Sequence, residues 1–378
     1  MNTPSFIDFS EPEFSTKSKI VKEARSNHWY ARTPLGLAIL THEHVGRLLR
    51  DRRLRQGSYA WPKKQNATGS FAEFWQRSII SLEGPKHKTI RSLAMKALSE
   101  EFVLSLVPQF DEIAIDLCQS LSRKGQCEFQ NDFAMPFSGR AICALLGLPL
   151  NDWKAVAGDA STLGLAMGLD YKKYEAKVNS ACDRLTALAE HLVEGATANR
   201  SETDLVGRLI SYYDPIKDVS HQDLIDLIVI MIFGGVDTTR SQLGFLMALF
   251  ARYPDQWVDL RQDLTLIPNA VEEAIRAWPT TTWATRETTE SFECDGVLFP
   301  KGITVHLLVH SSAKDPALGQ VKEFDIHARQ KRHHGFGGGA HHCLGHFVAR
   351  TDMACALRHL AKALIAFEIN GRAVYLPD

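Results

Sequence analysis

The chain carries almost no excess charge of either sign: 43 Lys and Arg stand against 44 Asp and Glu, a formal net charge of −1. A surface this balanced excludes nucleic-acid binding over its whole extent and leaves room only for a local basic patch. Paired cysteines are also missing. The seven, Cys118, Cys127, Cys143, Cys182, Cys294, Cys343 and Cys355, are odd in number and contain no CxxC. That excludes a disulfide framework and a zinc ribbon, and it fits a reducing, cytoplasmic compartment. Long apolar runs are absent. The longest uncharged one, Leu227 to Val236, has ten residues, where a membrane helix needs ~20. No membrane anchor is therefore expected, and a hydrophobic partner molecule would have to come to a soluble protein. The N-terminus shows no basic stretch followed by an apolar one, so no signal peptide is visible. There is no internal repeat, no low-complexity segment, no Gly-rich dinucleotide fingerprint and no βαβ alternation, which argues against a Rossmann fold.

What remains is an ordinary globular composition, 45% apolar and 23% charged over 378 residues, with nothing that reads as a linker. A single domain spanning 1–378 is expected, mainly α with small β-sheets. Its β-rich parts lie near 30–60 and 280–310. Its helical body covers 84–279 and 344–365. Pro34 to Thr41 reads as a buried strand, and Thr41 then caps a helix through Val45, Leu48 and Leu49. Residues 56–80 lose periodicity at Gly57, Pro62, Asn66, Gly69 and Ser70 while adding Tyr59, Trp61, Phe71, Phe74 and Trp75. They read either as an aromatic-pinned surface loop or as the lid of a pocket. Turn pairs at Asp295-Gly296 and Pro300-Lys-Gly302 punctuate short β pieces over 291–309.

The densest chemical signal is Phe336-Gly-Gly-Gly-Ala-His-His-Cys343-Leu-Gly345. Consecutive glycines let backbone approach something flat. Cys343 stands just before a helix with Phe347, Ala349, Met353, Ala356 and Leu360 at helical spacing. Free N–H donors and the helix dipole there favour a thiolate, which suits a soft metal ligand or a nucleophile. Three readings compete: a buried structural cysteine; a zinc site with His333, His334, His341, His342 and His346, weakened by the lack of a second cysteine at ligand spacing; and an axial thiolate to haem.

Three further segments bear on the choice. Gly234-Gly-Val-Asp-Thr-Thr239 lies inside a strongly apolar helix expected over 221–252, which at ~1.5 Å per residue is ~48 Å long. Two glycines there cost ~1 kcal/mol each against alanine, and Asp-Thr-Thr adds a desolvation cost. Helix packing and an exposed face would explain them, and so would a site. Glu273-Ala-Ile-Arg276 places both charges on one helical face. His87 and Arg91 follow Gly84-Pro85 one helical turn apart.

In this order the segments resemble the cytochrome P450 superfamily. Its cysteine loop reads Phe, Gly, any, Gly, any, His or Arg, any, Cys, any, Gly, and Phe336, Gly337, Gly339, His341, Cys343 and Gly345 fill every fixed place. Ala349-Arg350 matches the bacterial continuation, and the resemblance covers nearly the whole chain. It implies a triangular helix-rich fold with haem between a long central helix and the helix after the cysteine loop. The cofactor would be haem b, iron protoporphyrin IX, with Cys343 as its axial thiolate. His87, Arg91, Arg286 and His341 would hold the propionates. Asp237 and Thr238 match the acid–alcohol pair that relays protons to the oxygen site. Glu273 and Arg276 match the structural pair, with Arg329 as its third member. By family position the substrate pocket would draw on Phe71, Phe74, Trp75, Ile80, Leu165, Met167, Val229, Ile232, Phe233, Gly234, Thr281, Thr282 and Trp283.

The implied activity is insertion of one atom of O2 into a hydrophobic small molecule, such as a terpenoid or other natural-product intermediate. Electrons would come from a separate ferredoxin and its reductase, with Lys331, Arg332, His333 and His334 as a basic docking patch. A peroxide-driven haem enzyme, which needs no Asp–Thr pair, is the nearest rival. A haem-based binding or sensor protein is a rival of another class. The chain stops 35 residues after Cys343, where similar chains continue through a β hairpin. A thin pocket wall covered by another loop or subunit is expected there, unless residues 366–378 build the hairpin.

Overall fold

A computed structural model describes residues 3–9, 11, 14–168, 170–199, 201–213, 219–319, 321–328 and 333–371. The two β-rich stretches, distant in sequence, join in one sheet. Strands β1 (Tyr30–Thr33), β2 (Gly36–Ile39) and β3 (Leu54–Gln56) come from the first stretch, β4 (Ala284–Thr288) and β7 (Thr304–Leu307) from the second, and the order is β1-β2-β7-β4-β3. Only the β2–β7 pairing is parallel. Between β4 and β7, β5 (Phe292–Cys294) and β6 (Val297–Phe299) form a separate hairpin. Its turn, Asp295-Gly296, has both φ positive at 49° and 76°, as a two-residue hairpin turn requires. The register sets Arg286 opposite Gln56 on one side and Val305 on the other.

Helices fill the rest. The first part carries α1 (Lys19–Asn27), α2 (His42–Leu48), α3 (Trp61–Lys64), α4 (Ser70–Arg77), α5 (Gly84–Ala97) and α6 (Glu100–Ser105). Residues 56–80 are thus partly helical, because the aromatics seen in the sequence lie inward rather than pinning a loop. Then come α7 (Val107–Lys124), α8 (Met135–Leu146), α9 (Trp153–Gly164), α10 (Tyr171–Asn199) and α11 (Leu205–Tyr212). The long α12 (His221–Arg252) is followed by α13 (Pro254–Gln262), α14 (Ile267–Ala277), α15 (Val309–Ser312) and α16 (His346–Ala363).

The helix α12 organises the molecule. It starts at a reciprocal cap: the Ser220 hydroxyl accepts from the Asp223 N–H while the Asp223 carboxylate accepts from the Ser220 N–H, satisfying two donors that a helix start leaves open. Its first half, through Val236, is buried with α4, α5, α8, α9, α10 and α11. Its second half, from Leu243, is buried with α7, α14 and α16. Between these two apolar bodies runs the polar step Asp237-Thr-Thr-Arg-Ser-Gln242. A polar interruption in such a helix is costly unless it serves something.

The Glu273–Arg276 pair is buried on α14. Arg276 Nε and Nη2 donate to the two Glu273 oxygens at 2.7 and 2.6 Å. Arg276 also donates to the Ala313, Lys322 and Glu323 carbonyls, and Glu273 accepts from the Asp325 N–H. The pair therefore ties α14 to the chain leading into the cysteine loop through backbone contacts. Arg329 lies outside the described residues, and so do 372–378, on which the expected hairpin turns. Residues 364–371 contain no strand.

Candidate active site

The cysteine loop is folded by its own backbone and by α2. Cys343 N–H donates to the Phe336 carbonyl at 2.8 Å, and Gly337 N–H to the His334 carbonyl at 2.8 Å. Gly337 and Gly339 take φ of +71° and +67°. A Cβ on Gly339 would stand 2.3 Å from the Leu49 carbonyl, so only glycine lets the loop seat on α2. Cys343 has free surface, yet protein surrounds it closely enough that desolvation pushes its thiol up, against the Gly345 N–H and the Arg91 and Arg350 charges. A group that is both open and enclosed faces an internal chamber.

A second exposed patch lies within α12. Gly234 and Thr238 are exposed in the middle of an otherwise buried helix, and their i, i+4 spacing puts them on one face. The Thr238 hydroxyl donates to the Gly234 carbonyl at 2.5 Å. Side chains next to both patches, Ile230 and Phe233 from α12 and Leu344, Phe347 and Val348 beside Cys343, pack against one apolar cluster. Asp237 turns away from this face: its Oδ1 accepts from Ser161 Oγ on α9 at 2.6 Å and lies 3.2 Å from Arg240 Nη2.

At one edge of the chamber the sheet and α5 bring basic groups together. The His87 and His341 rings are 4.4 Å apart, and His341 Nε2 lies 3.0 Å from a Glu83 oxygen. Burial, then the neighbouring His341 charge, pulls His87 down to about 4, and its Nε2 is buried with no hydrogen-bond partner. Burial also pulls Arg286 down to about 10. Arg286 donates to Gln56 Oε1 and to the Thr285 carbonyl. Among the described residues neither Arg91 nor Arg286 meets a carboxylate at ion-pair distance. A buried cation and an orphaned ring nitrogen demand acceptors. A flat group bearing two carboxylates fits this set.

The residues expected at the pocket lie at different depths. Phe71, Phe74, Val229 and Ile232 are 1% exposed or less and belong to the core. Trp75 is buried and meets Phe233 ring to ring at 6.1 Å. Trp283 stacks on Phe9 of the N-terminal segment at 5.7 Å and sits edge-on to His306. Alternation along the chain into β4 puts it on the face opposite Thr282 and Arg286. Leu165 and Met167 are exposed beyond α9. Ile80 and Thr282 are half-buried and Thr281 is exposed. His333 and His334 are buried. His333 faces Glu272 at 3.1 Å, and burial, then the His42 charge, pulls His334 down to about 4. They cannot form an exposed docking patch, and Lys331 and Arg332 lie outside the described residues.

Comparison with known proteins decides the family. The cytochrome P450 family model matches residues 256–368. Luteothin monooxygenase of Streptomyces thioluteus is 32% identical over 379 residues, covering 98% of this chain and 92% of that protein. The chain belongs to the cytochrome P450 superfamily. The 20-oxo-5-O-mycaminosyltylactone 23-monooxygenase of Streptomyces fradiae is 27% identical, covering 91% of this P450 and 80% of its own length. The crystal structure of P450BioI with an acyl carrier protein has a TM-score of 0.86 at 22% identity, covering 94% of each chain, a likeness of fold. This P450 is a monooxygenase of bacterial type, using haem with a cysteine thiolate, O2, a small-molecule substrate and redox partners.

Sequence reading missed Ser161, Ile230, Glu83, Gln56 and Glu272. Ile230 was accessible from periodicity, one turn before Gly234. Ser161 and Glu83 act through tertiary contacts that no local pattern announces.

Proposed function

We propose that this P450 oxidises a hydrophobic natural-product intermediate, with Cys343 as the residue whose thiolate would hold haem b. The observations that support it are the open Cys343 thiol and the exposed Gly234–Thr238 stripe, whose apolar neighbours pack against one cluster. The bound haem thiolate would supply O2 activation and electron donation toward the oxygen. The Gly345 N–H and the Arg91 and Arg350 charges stabilise the thiolate sulfur. His87, Arg91, Arg286 and His341 bind the propionates, and the orphaned His87 Nε2 then gains its partner. Gly234 leaves room at the distal wall. Thr238 holds a hydroxyl there, and Asp237 carries protons from solvent to it. Ile230, Phe233 and Leu344 exclude water around the bound molecule. The apolar lining and the few hydroxyls of Thr281 and Thr282 suit a mostly hydrophobic substrate with few polar groups.

Electrons come from a ferredoxin system. The docking face we favour is a cleft of about 970 Å3 whose rim carries Arg50, Arg52, Arg55, Lys88 and Lys96 and whose inner wall includes His87, Arg91 and Arg286. An acidic carrier seated there lies beside the propionate edge. The two relatives named above are, by their names, monooxygenases of luteothin and of 20-oxo-5-O-mycaminosyltylactone, which supports a natural-product ligand of that kind. A ligand panel scored by spin-state shift tests the reading: luteothin and mycaminosyltylactone probes should shift the haem spectrum at lower concentration than small terpenes. Tight response to terpenes alone would overturn the substrate class. Turnover with ferredoxin and reductase is expected, and turnover with peroxide alone at the same rate would overturn the electron route.

A further inference from the structure

We infer that Ser161 and Gly164 of α9 form a socket that holds the Asp237 carboxylate away from the chamber, so that proton delivery waits on movement of α9. This rests on reading Asp237 and Thr238 as the relay pair. Ser161 Oγ donates to Asp237 Oδ1 at 2.6 Å. The other oxygen, Oδ2, faces bare backbone: a Cβ on Gly164 would stand 2.7 Å from it. Hydrogen bonds to a carboxylate are among the stronger ones, and a close-packed wall allows no second rotamer on that side. Arg240 Nη2 also lies 3.2 Å from Oδ1. The Met135 thioether backs both partners, 3.4 Å from Arg240 Nη1 and 3.9 Å from Ser161 Oγ.

Thr238 is the next residue, about 100° further round the helix, and its hydroxyl is turned to the Gly234 carbonyl. Acid and alcohol therefore do not touch in this state. To serve the chamber the carboxylate must leave the socket. Arg240 moves with α12 itself, so Ser161 and Gly164 alone make the carboxylate sense α9. That helix runs directly into the exposed Leu165–Met167 turn, which a ligand or partner at the molecule's surface can displace. Ser161 is thus a positioning residue that couples α9 to proton delivery.

The test compares wild-type holoenzyme with Ser161→Ala, Ser161→Thr, Gly164→Ala and Asp237→Asn, all with their electron donor. Retention of the CO-bound spectrum shows that each is folded and loaded. In Ser161→Ala and Gly164→Ala, amide exchange across 158–164 should quicken. Electron consumption should rise by about tenfold or more, the weight of one hydrogen bond to a charged group, with a larger peroxide share and a smaller solvent deuterium effect. Ser161→Thr should behave as wild type. Asp237→Asn should slow consumption, and adding Ser161→Ala to it should change nothing further. A Ser161→Ala enzyme that slows as Asp237→Asn does would overturn the socket, making the hydroxyl a link in the proton path. So would one unchanged in exchange and consumption while Asp237→Asn is slow. Wild-type consumption and isotope effect in Asp237→Asn alone would instead sink the relay reading and the socket with it.

Discussion

Thr238 shows how one side chain reads in its surroundings. In the sequence it is a polar residue in an apolar helix, which a solvated face would explain equally well. In the molecule it is exposed beside buried stretches of the same helix, and its hydroxyl closes on the Gly234 carbonyl. Such a back-bond is worth about 1 kcal/mol and frees easily for another acceptor. Thr238→Ala should therefore keep haem, substrate affinity and thermal stability within about 1 kcal/mol, while product per electron falls several-fold and peroxide rises. Stoichiometry of electrons, peroxide and product measures this, and unchanged coupling would deny Thr238 its role. Trp283 teaches the converse. Family position put it in the pocket, but its neighbours Phe9 and Phe14 come from a segment that no local pattern could bring there.

At the scale of elements, the cysteine loop is held at both ends by one carboxylate. Glu272 on α14 accepts from His333 before the loop and from Arg350 after it, and Arg350 also covers the Phe336 ring at 4.3 Å. Burial alone would raise Glu272, but the His333 and Arg350 hydrogen bonds outweigh it and hold it down at about 2 against an ordinary 4.5. Folding therefore favours the ionised form. The stabilisation is complete above about pH 4.5 and is lost as pH falls towards 2. Acid titration of the cysteine-loop haem spectrum should show this loss in that window. Glu272→Gln should flatten the dependence and cost about 1–2 kcal/mol at pH 7, because the Glu272–Arg350 pair is only half-buried. An unaltered acid limb in chemical unfolding would contradict the assignment. Much at this scale was legible: α12 begins and ends where its apolar run does, at His221 and Arg252, because capping at Ser220 and periodicity are local. Glu272 stayed hidden beside the better-known Glu273–Arg276 motif, since its partners lie far along the chain.

At the scale of the molecule, the two β stretches meet to set Arg286 beside α5, and the basic cleft opens where they meet. Both stretches could be read as strands. Their joining could not, because register between distant strands is fixed by packing on the helical body rather than by turns. Charge in this cleft, rather than near the cysteine loop, should steer an acidic electron donor. Arg52→Glu with Lys96→Glu should slow reduction by ferredoxin roughly tenfold at low salt and converge on wild type as salt rises, because such steering is screened. Stopped-flow reduction rates against ionic strength decide it, and equal rates at low salt would move the docking face elsewhere.

The fold, the chamber and the chemistry meet at one sulfur. The absorption spectrum of the reduced, CO-bound protein reports on that sulfur directly. Wild-type protein should give the strongly red-shifted band of thiolate-ligated haem, and Cys343→Ser should lose it together with oxygenase activity. A Cys343→Ser protein that kept both would mean that another of the seven cysteines holds the iron and that the chamber described here is not the active site.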